Sequence, residues 1–216
     1  MPLSDHILFI DAEALVLNKP PGLPVDEPRR GGDSIARRID ELKCGFNRPP
    51  SPMHRLDTDT SGCLLFARTA KARPLFQRAF EARSVEKYYL AVVAGEIADE
   101  AGVIDLPLAK TSSEKAGWKM VAHDHGLKAT THWRRLSIRD GSTLVEFRPL
   151  TGRTHQIRAH AREAFGRGIV GDRVYGVPGG AMLLHAFRLV VPRERKVTID
   201  VTAPLPDYFG KWRDAS

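Results

Sequence analysis

The chain has 216 residues, of which 42% are hydrophobic, 27% charged and 7% aromatic. That mixture excludes long disorder, collagen-like repeats and low-complexity architecture, and the length is enough to bury a core without disulfide or metal staples. Lys and Arg number 33 against 26 acids, a formal charge of +7, and the surplus is uneven: residues 128–173 hold ten bases and four acids. Such a stretch is the electrostatic footprint of a polyanion, although charge alone does not separate RNA from DNA or an anionic membrane.

No apolar run approaches the roughly 18 residues of a spanning helix. Asp5 and Asp11 stand where a secretory signal would be basic and then apolar, so no membrane partner and a cytoplasmic location are expected. Cys44 and Cys63 lie outside any CxxC pair, which predicts two buried reduced thiols.

In chain order, short apolar runs bounded by turn residues predict strands over 7–10, 15–17, 63–67, 88–94, 143–150, 182–191 and 197–201. Alternation in 143–150 is only partial, which leaves open whether one or both of its faces are buried. Three helices are predicted among them. The first covers 35–43, with Ser34 as N-cap, Ile35, Ile39 and Leu42 on one stripe, and Gly45 past its end. The second starts near Arg73, because Pro74 lacks an amide hydrogen and bars a helix begun at Ala70. The third covers 155–165 and is closed by Gly166. Segments 26–33 and 110–126 read as exposed loops. Many strands with few scattered helices predict an α+β fold, a single domain over 1–216 around a largely antiparallel mixed sheet.

The most informative stretch is His54-Arg55-Leu56-Asp57-Thr58-Asp59-Thr60-Ser61-Gly62, a polar turn directly before the apolar strand 63–67. It places a carboxylate on a loop held by a rigid element. Taken alone, an Asp here is an ordinary turn former, so the rest of the chain decides.

His54-Arg55-Leu56-Asp57 followed by Thr60-Ser61-Gly62 resembles the signature loop of RNA pseudouridine synthases, in the branch that modifies bacterial ribosomal and transfer RNA. Further blocks resemble that family in its order. They are Asn18-Lys19-Pro20-Pro21-Gly22, Lys87-Tyr88-Tyr89-Leu90-Ala91, Leu150-Thr151-Gly152-Arg153-Thr154-His155-Gln156-Ile157-Arg158, Gly171-Asp172 with Tyr175-Gly176, and Leu184-His185-Ala186. The resemblance implies an enzyme that breaks the N1 glycosidic bond of a uridine, turns the base and joins C5 to the ribose. It implies no metal, nucleotide or redox cofactor, and an active site in a central basic cleft.

By the same resemblance Asp57 is the nucleophile, attacking the ribose C1′ or assisting a glycal route, and a carboxylate suits a covalent adduct that must form and break. Arg153 is its cationic partner, which an apolar pocket would require if the carboxylate is to stay ionised. Tyr89 stacks on the base and helps move the C5 proton, with the adjacent Tyr88 as rival because a strand puts the two on opposite faces. Leu184 walls the base pocket, or Leu183 if the register slips by one. Arg55 enters the RNA stack where the flipped base has left. Arg158 and Lys19 complete the substrate-binding set.

His54, His155 and His185 fit structural hydrogen bonding better than acid–base roles. His123-Asp124-His125 lacks further ligands at metal-binding spacing. The literal DxDxT pattern of Asp57-Thr58-Asp59-Thr60, known from magnesium-dependent phosphotransferases, lacks the apolar strand before it and the later acidic pair. A non-catalytic RNA-binding protein on the same fold is the alternative, and the joint presence of Asp57, Tyr89 and Arg153 argues against it. The chain begins almost at the first strand of the resemblance, so the small basic RNA-binding domain often fused in front of related synthases is expected to be absent. The remaining expectation is a monomer acting on large-subunit ribosomal RNA, a transfer-RNA anticodon stem-loop, or both.

Overall fold

A computed structural model describes residues 1–113, 117–194 and 196–215. In chain order the elements begin with strands β1 (Ile7–Ile10), β2 (Ala14–Lys19), β3 (Ser51–Pro52) and β4 (Ser61–Ala67), then helix α1 (Ala72–Glu81). There follow β5 (Glu86–Ala94), β6 (Ala101–Asp105), β7 (Leu108–Ser113), β8 (Gly117–Ala122), β9 (Thr130–Arg139) and β10 (Ser142–Pro149). Helix α2 (Gln156–Phe165), β11 (Leu184–Val191) and β12 (Ile199–Thr202) complete the set, with 3-10 turns at Leu3–His6, Ile39–Leu42 and Asp207–Ala215. The architecture is the expected α+β, with largely antiparallel sheet. No described helix is long and apolar enough to cross a membrane.

The chain groups into two compact units, Met1–Lys87 with Ala186–Pro204, and Tyr88–His185 with Leu205–Ser216. In the first, β1, β2 and β4 pair antiparallel, β3 adds to β4, and β12 adds to β11. All seven residues of β4 are buried, which is why its sequence is a continuous apolar run and not an alternation. One side of this sheet meets a core of Val16, Cys63, Leu65, Phe76, Leu189 and Val201. In the second unit β5, β10, β9 and β6 form an antiparallel series, and β7 pairs with β8.

Helix α1 starts at Ala72, with the Thr69 hydroxyl accepting the Ala72 N–H at 3.1 Å. Pro74 is its third residue, inside the first turn where an amide hydrogen has no intrahelical partner, so it costs the helix nothing there. The predicted helix over 35–43 is corrected. Ser34 does cap, accepting the Arg37 N–H at 3.2 Å, yet only turns and the 3-10 segment follow. The buried Arg68 guanidinium draws the carbonyls of Lys43 and Cys44 to itself, at 3.3 and 2.8 Å, and stacks 3.9 Å from the Phe46 ring centre. Cys44 thereby takes a left-handed φ of 45° and is exposed, which corrects the expectation of two buried thiols. Cys63 is buried as expected, its Sγ 3.7 Å from the Phe187 carbonyl and 3.6 Å from that of Val201, and burial pushes its pKa up to about 12.

The segment read as a loop over 110–126 contains most of the β7–β8 hairpin, paired from Leu108 opposite Ala122 to Ser113 opposite Gly117. β10 settles the question its alternation left open. Thr143, Leu144 and Val145 are buried in succession, whereas Glu146 and Arg148 alternate with buried Phe147 and Pro149.

Candidate active site

In the first unit the signature loop is pinned from below by Lys19. This lysine is 0% exposed, and its ammonium donates to the carbonyls of Pro20 (2.8 Å), Leu23 (2.8 Å) and Thr58 (2.9 Å). The Gly22 N–H donates to the same Thr58 carbonyl at 2.9 Å. The Asn18-to-Gly22 turn and the residue after Asp57 are thus tied at one oxygen. Burial pulls the Lys19 pKa down to about 7 against the charges of Asp59 and Asp57, which act to raise it. All three ammonium hydrogens are engaged, so Lys19 serves the loop and holds no N–H to offer RNA.

Asp57 itself is half-buried and begins a turn closed by Thr60 N–H to Asp57 C=O at 3.1 Å. Two residues further, Gly62 explains the end of the motif. Its φ is 105°, and a Cβ placed there would lie 2.2 Å from the Ala186 carbonyl oxygen, so only glycine lets β4 begin at this point. His54 is half-buried, and its Nε2 accepts the Leu65 N–H at 3.0 Å in place of a strand partner. Desolvation and then the nearby Lys87 charge push its pKa down to about 3, which fixes a neutral ring. Arg55 is exposed, with Nη1 donating to Asp26 at 2.7 Å. An ion pair that exposed is weak and yields readily to a stronger anion.

In the second unit Arg153 sits in a turn built by Gln156, a residue the sequence reading passed over. The Gln156 amide oxygen accepts from the Arg153 N–H (2.9 Å) and the Thr151 hydroxyl (2.7 Å). Its amide nitrogen donates to the Thr130 carbonyl (3.1 Å) and the Thr131 hydroxyl (2.9 Å), so every hydrogen-bonding position of this buried side chain is filled. The Arg153 Nε donates to the Lys128 carbonyl at 3.1 Å. Next in the chain, His155 adopts φ 52°, stacks on Trp118 at 4.8 Å and meets the Tyr175 hydroxyl at 3.1 Å. Tyr175 also accepts the Met120 N–H at 2.7 Å, which fastens β8 to the start of α2.

Arg158 is 7% exposed and forms a bidentate pair with Asp172, at 2.7 and 2.9 Å. Burial raises the Asp172 carboxyl, but the Arg158 guanidinium and the amides of Val174 and Tyr175 outweigh it and hold the group below the usual carboxylate range. The pair braces α2 against the turn at 172–175. That is the position of a structural strut, in contrast to the substrate contact expected of Arg158. Tyr89 is buried opposite Phe147 on β10, and Tyr88 carries the Arg148 guanidinium 5.6 Å over its ring. Leu184 is 3% exposed, whereas Leu183 is half-buried with its backbone bonded to Val92 and Val170. Among the described residues, no three His, Cys, Asp or Glu side chains gather as metal ligands would.

Residues 13–163 match the family model described as RNA pseudouridylate synthase. An uncharacterised RNA pseudouridine synthase of Zymomonas mobilis is 47% identical over 211 residues, covering 96% of both chains. A dual-specificity RNA pseudouridine synthase of Haemophilus ducreyi is 35% identical over 196 residues, covering 85% of each. Among solved structures, human RNA pseudouridylate synthase domain containing 4 superposes with a TM-score of 0.81 at 27% identity, over 96% of this chain and 91% of that one. Matched by the family model over residues 13–163 and similar to these relatives along most of its length, the chain belongs to the RNA pseudouridylate synthase family.

Proposed function

We propose that this pseudouridine synthase, an isomerase acting on RNA, converts uridine to pseudouridine in the cytoplasm through the Asp57 carboxylate. The observation that carries the reading is the rigidity of the Asp57 loop. Its neighbour Thr58 is held by a buried ammonium and a backbone amide, and Gly62 feeds it straight into a wholly buried strand. A nucleophile so held is oriented before substrate arrives, which removes an entropic part of the barrier. Asp57 acts on the ribose, at C1′ or by way of a glycal. The N1–C1′ bond breaks and its electron pair stays on N1, the base rotates, C5 bonds to C1′, the C5 proton leaves to solvent and N1 takes one up, so the product is an isomer. Arg153 supplies the opposing charge, Tyr89 stacks on the base, Leu184 walls it, and Arg55 fills the place the base vacates.

The substrates proposed are large-subunit ribosomal RNA and a transfer-RNA anticodon stem-loop, in line with the names of the ribosomal and dual-specificity relatives. Tritium release from C5-labelled uridine in RNA tests the chemistry. Wild type releases tritium, and Asp57→Asn loses roughly 10³-fold or more while keeping RNA affinity. Release by neither protein points to a binding module instead. Mapping pseudouridines in cells with and without the gene identifies the target. Arg55→Ala lowers turnover on folded RNA more than on a flexible single strand, and equal losses on both remove the wedge role.

A further inference from the structure

Much of the basic stretch that first suggested a polyanion is engaged by partners within the chain. Arg134 pairs with Glu146, Arg158 with Asp172, and Arg135 with Glu100 and the carbonyls of Ile97 and Ala98. Arg153 and Arg162 donate to backbone carbonyls of Lys128 and Gly166. Within that stretch Lys128, Arg167 and Arg173 stay exposed with no ion pair among the described residues, and a second open group lies elsewhere. On and just after α1, Arg73, Arg78 and Arg83 are exposed, and their side chains have no ion pair or hydrogen bond among the described residues.

The far end of this helix returns to the signature block, where the Phe80 and His54 rings are 5.2 Å apart. The chain leaves α1 through Arg83 at φ 56°, closed by Arg83 N–H to Phe80 C=O (3.1 Å) and Ser84 N–H to Ala79 C=O (3.0 Å). Glycine is the usual residue at such an exit. Arginine here carries a guanidinium to that point at a local conformational cost. Lys87 follows at the start of β5, half-buried and close enough for its charge to act on His54. Burial draws its pKa down to about 8, and no anion or acceptor among the described residues compensates. His54 cannot serve, since its Nε2 is engaged by Leu65. A desolvated ammonium with no counter-ion is unfavourable until an anion reaches it.

We propose that Arg78, Arg83 and Lys87 form a cationic ridge that grips the phosphate backbone of the RNA strand flanking the signature loop. The proposal rests on RNA being the substrate and names where its backbone is held. Binding of a fluorescently labelled RNA stem-loop with uridines in its loop, measured across salt concentrations, tests it. Replacing all three cations by Gln lowers the slope of log K against log salt by about 2–3 and weakens binding roughly 10–100-fold near physiological salt.

The control variant Lys43→Gln, Arg188→Gln, Arg213→Gln removes the same net charge from cations already paired with Asp40, Asp200 and Asp207, and it keeps the wild-type slope. Arg83→Gly alone melts at higher temperature, because the left-handed residue is relieved, yet binds RNA more weakly. That opposition separates loss of contact from loss of fold. Equal slopes for wild type and the triple Gln variant, with tritium release intact, overturn the ridge and leave the activity standing. A lowered slope in a protein that releases no tritium keeps the ridge and overturns the catalytic reading.

Discussion

Lysine is among the residues least often buried, so nothing in Asn18-Lys19-Pro20 announced that Lys19 would be fully enclosed. Asp57 could be proposed from the sequence because its block resembles the family's signature loop. The role of Lys19 could not, because it depends on three carbonyls brought together only by the fold. Lys19→Met leaves those oxygens without their donor and is expected to destabilise the protein by about 2–4 kcal/mol in chemical denaturation. It is also expected to lower kcat through a loosened Asp57 loop, with little change in RNA affinity. A large loss of affinity at unchanged kcat restores the substrate-contact role. The pH dependence has a definite sign. The folded value of about 7 lies below the ordinary lysine value of 10.5, so between them the unfolded chain binds more protons, and the Lys19 contribution to stability grows as pH rises through that window. The stability difference between wild type and Lys19→Met should widen accordingly from pH 7 to 10.

Among the strands, those with a run of apolar residues were readable and the more polar ones were not. β4 declares itself by burial on both faces, but β9 runs Thr-Thr-His-Trp-Arg-Arg-Leu-Ser-Ile-Arg and buries mainly Thr131 and Trp133. Its outward Arg134 is satisfied across the ladder by Glu146, a pairing invisible until the two strands are side by side. The β7–β8 hairpin was missed for a related reason, since β7 turns polar after Ala109 and Met120 on β8 is secured by the Tyr175 hydroxyl far along the chain. The start of α2 shows the same dependence on distant partners. Gln156→Glu is nearly isosteric and still accepts from the Thr151 hydroxyl and the Arg153 amide, but it cannot donate to Thr130 and Thr131 and sets a carboxylate oxygen against the Thr130 carbonyl. A loss of about 2–3 kcal/mol is expected on thermal unfolding. With it goes a fall in kcat of roughly tenfold or more that Gln156→Asn does not restore. Unchanged kcat in a destabilised Gln156→Glu protein detaches this turn from catalysis.

At the scale of the whole molecule, composition and the strand count led correctly to an α+β fold, and the ordered blocks led to the family that the match over residues 13–163 establishes. The distribution of usable charge could not be read in the same way. A count along the chain weighs every arginine equally, whereas the fold commits Arg134, Arg135 and Arg158 to internal partners and leaves those of α1 open. The two cysteines illustrate the same sorting by environment. One thiol hydrogen-bonds inside the core and resists ionisation to about 12, and the other stands on the surface at a left-handed turn. Since only a thiolate reacts at a useful rate, a colorimetric disulfide reagent should titrate one group in the native protein and two once it is unfolded. Cys44 is therefore a ready-made, single attachment point for a fluorophore or spin label, and no residue need be engineered away before the enzyme is watched in solution.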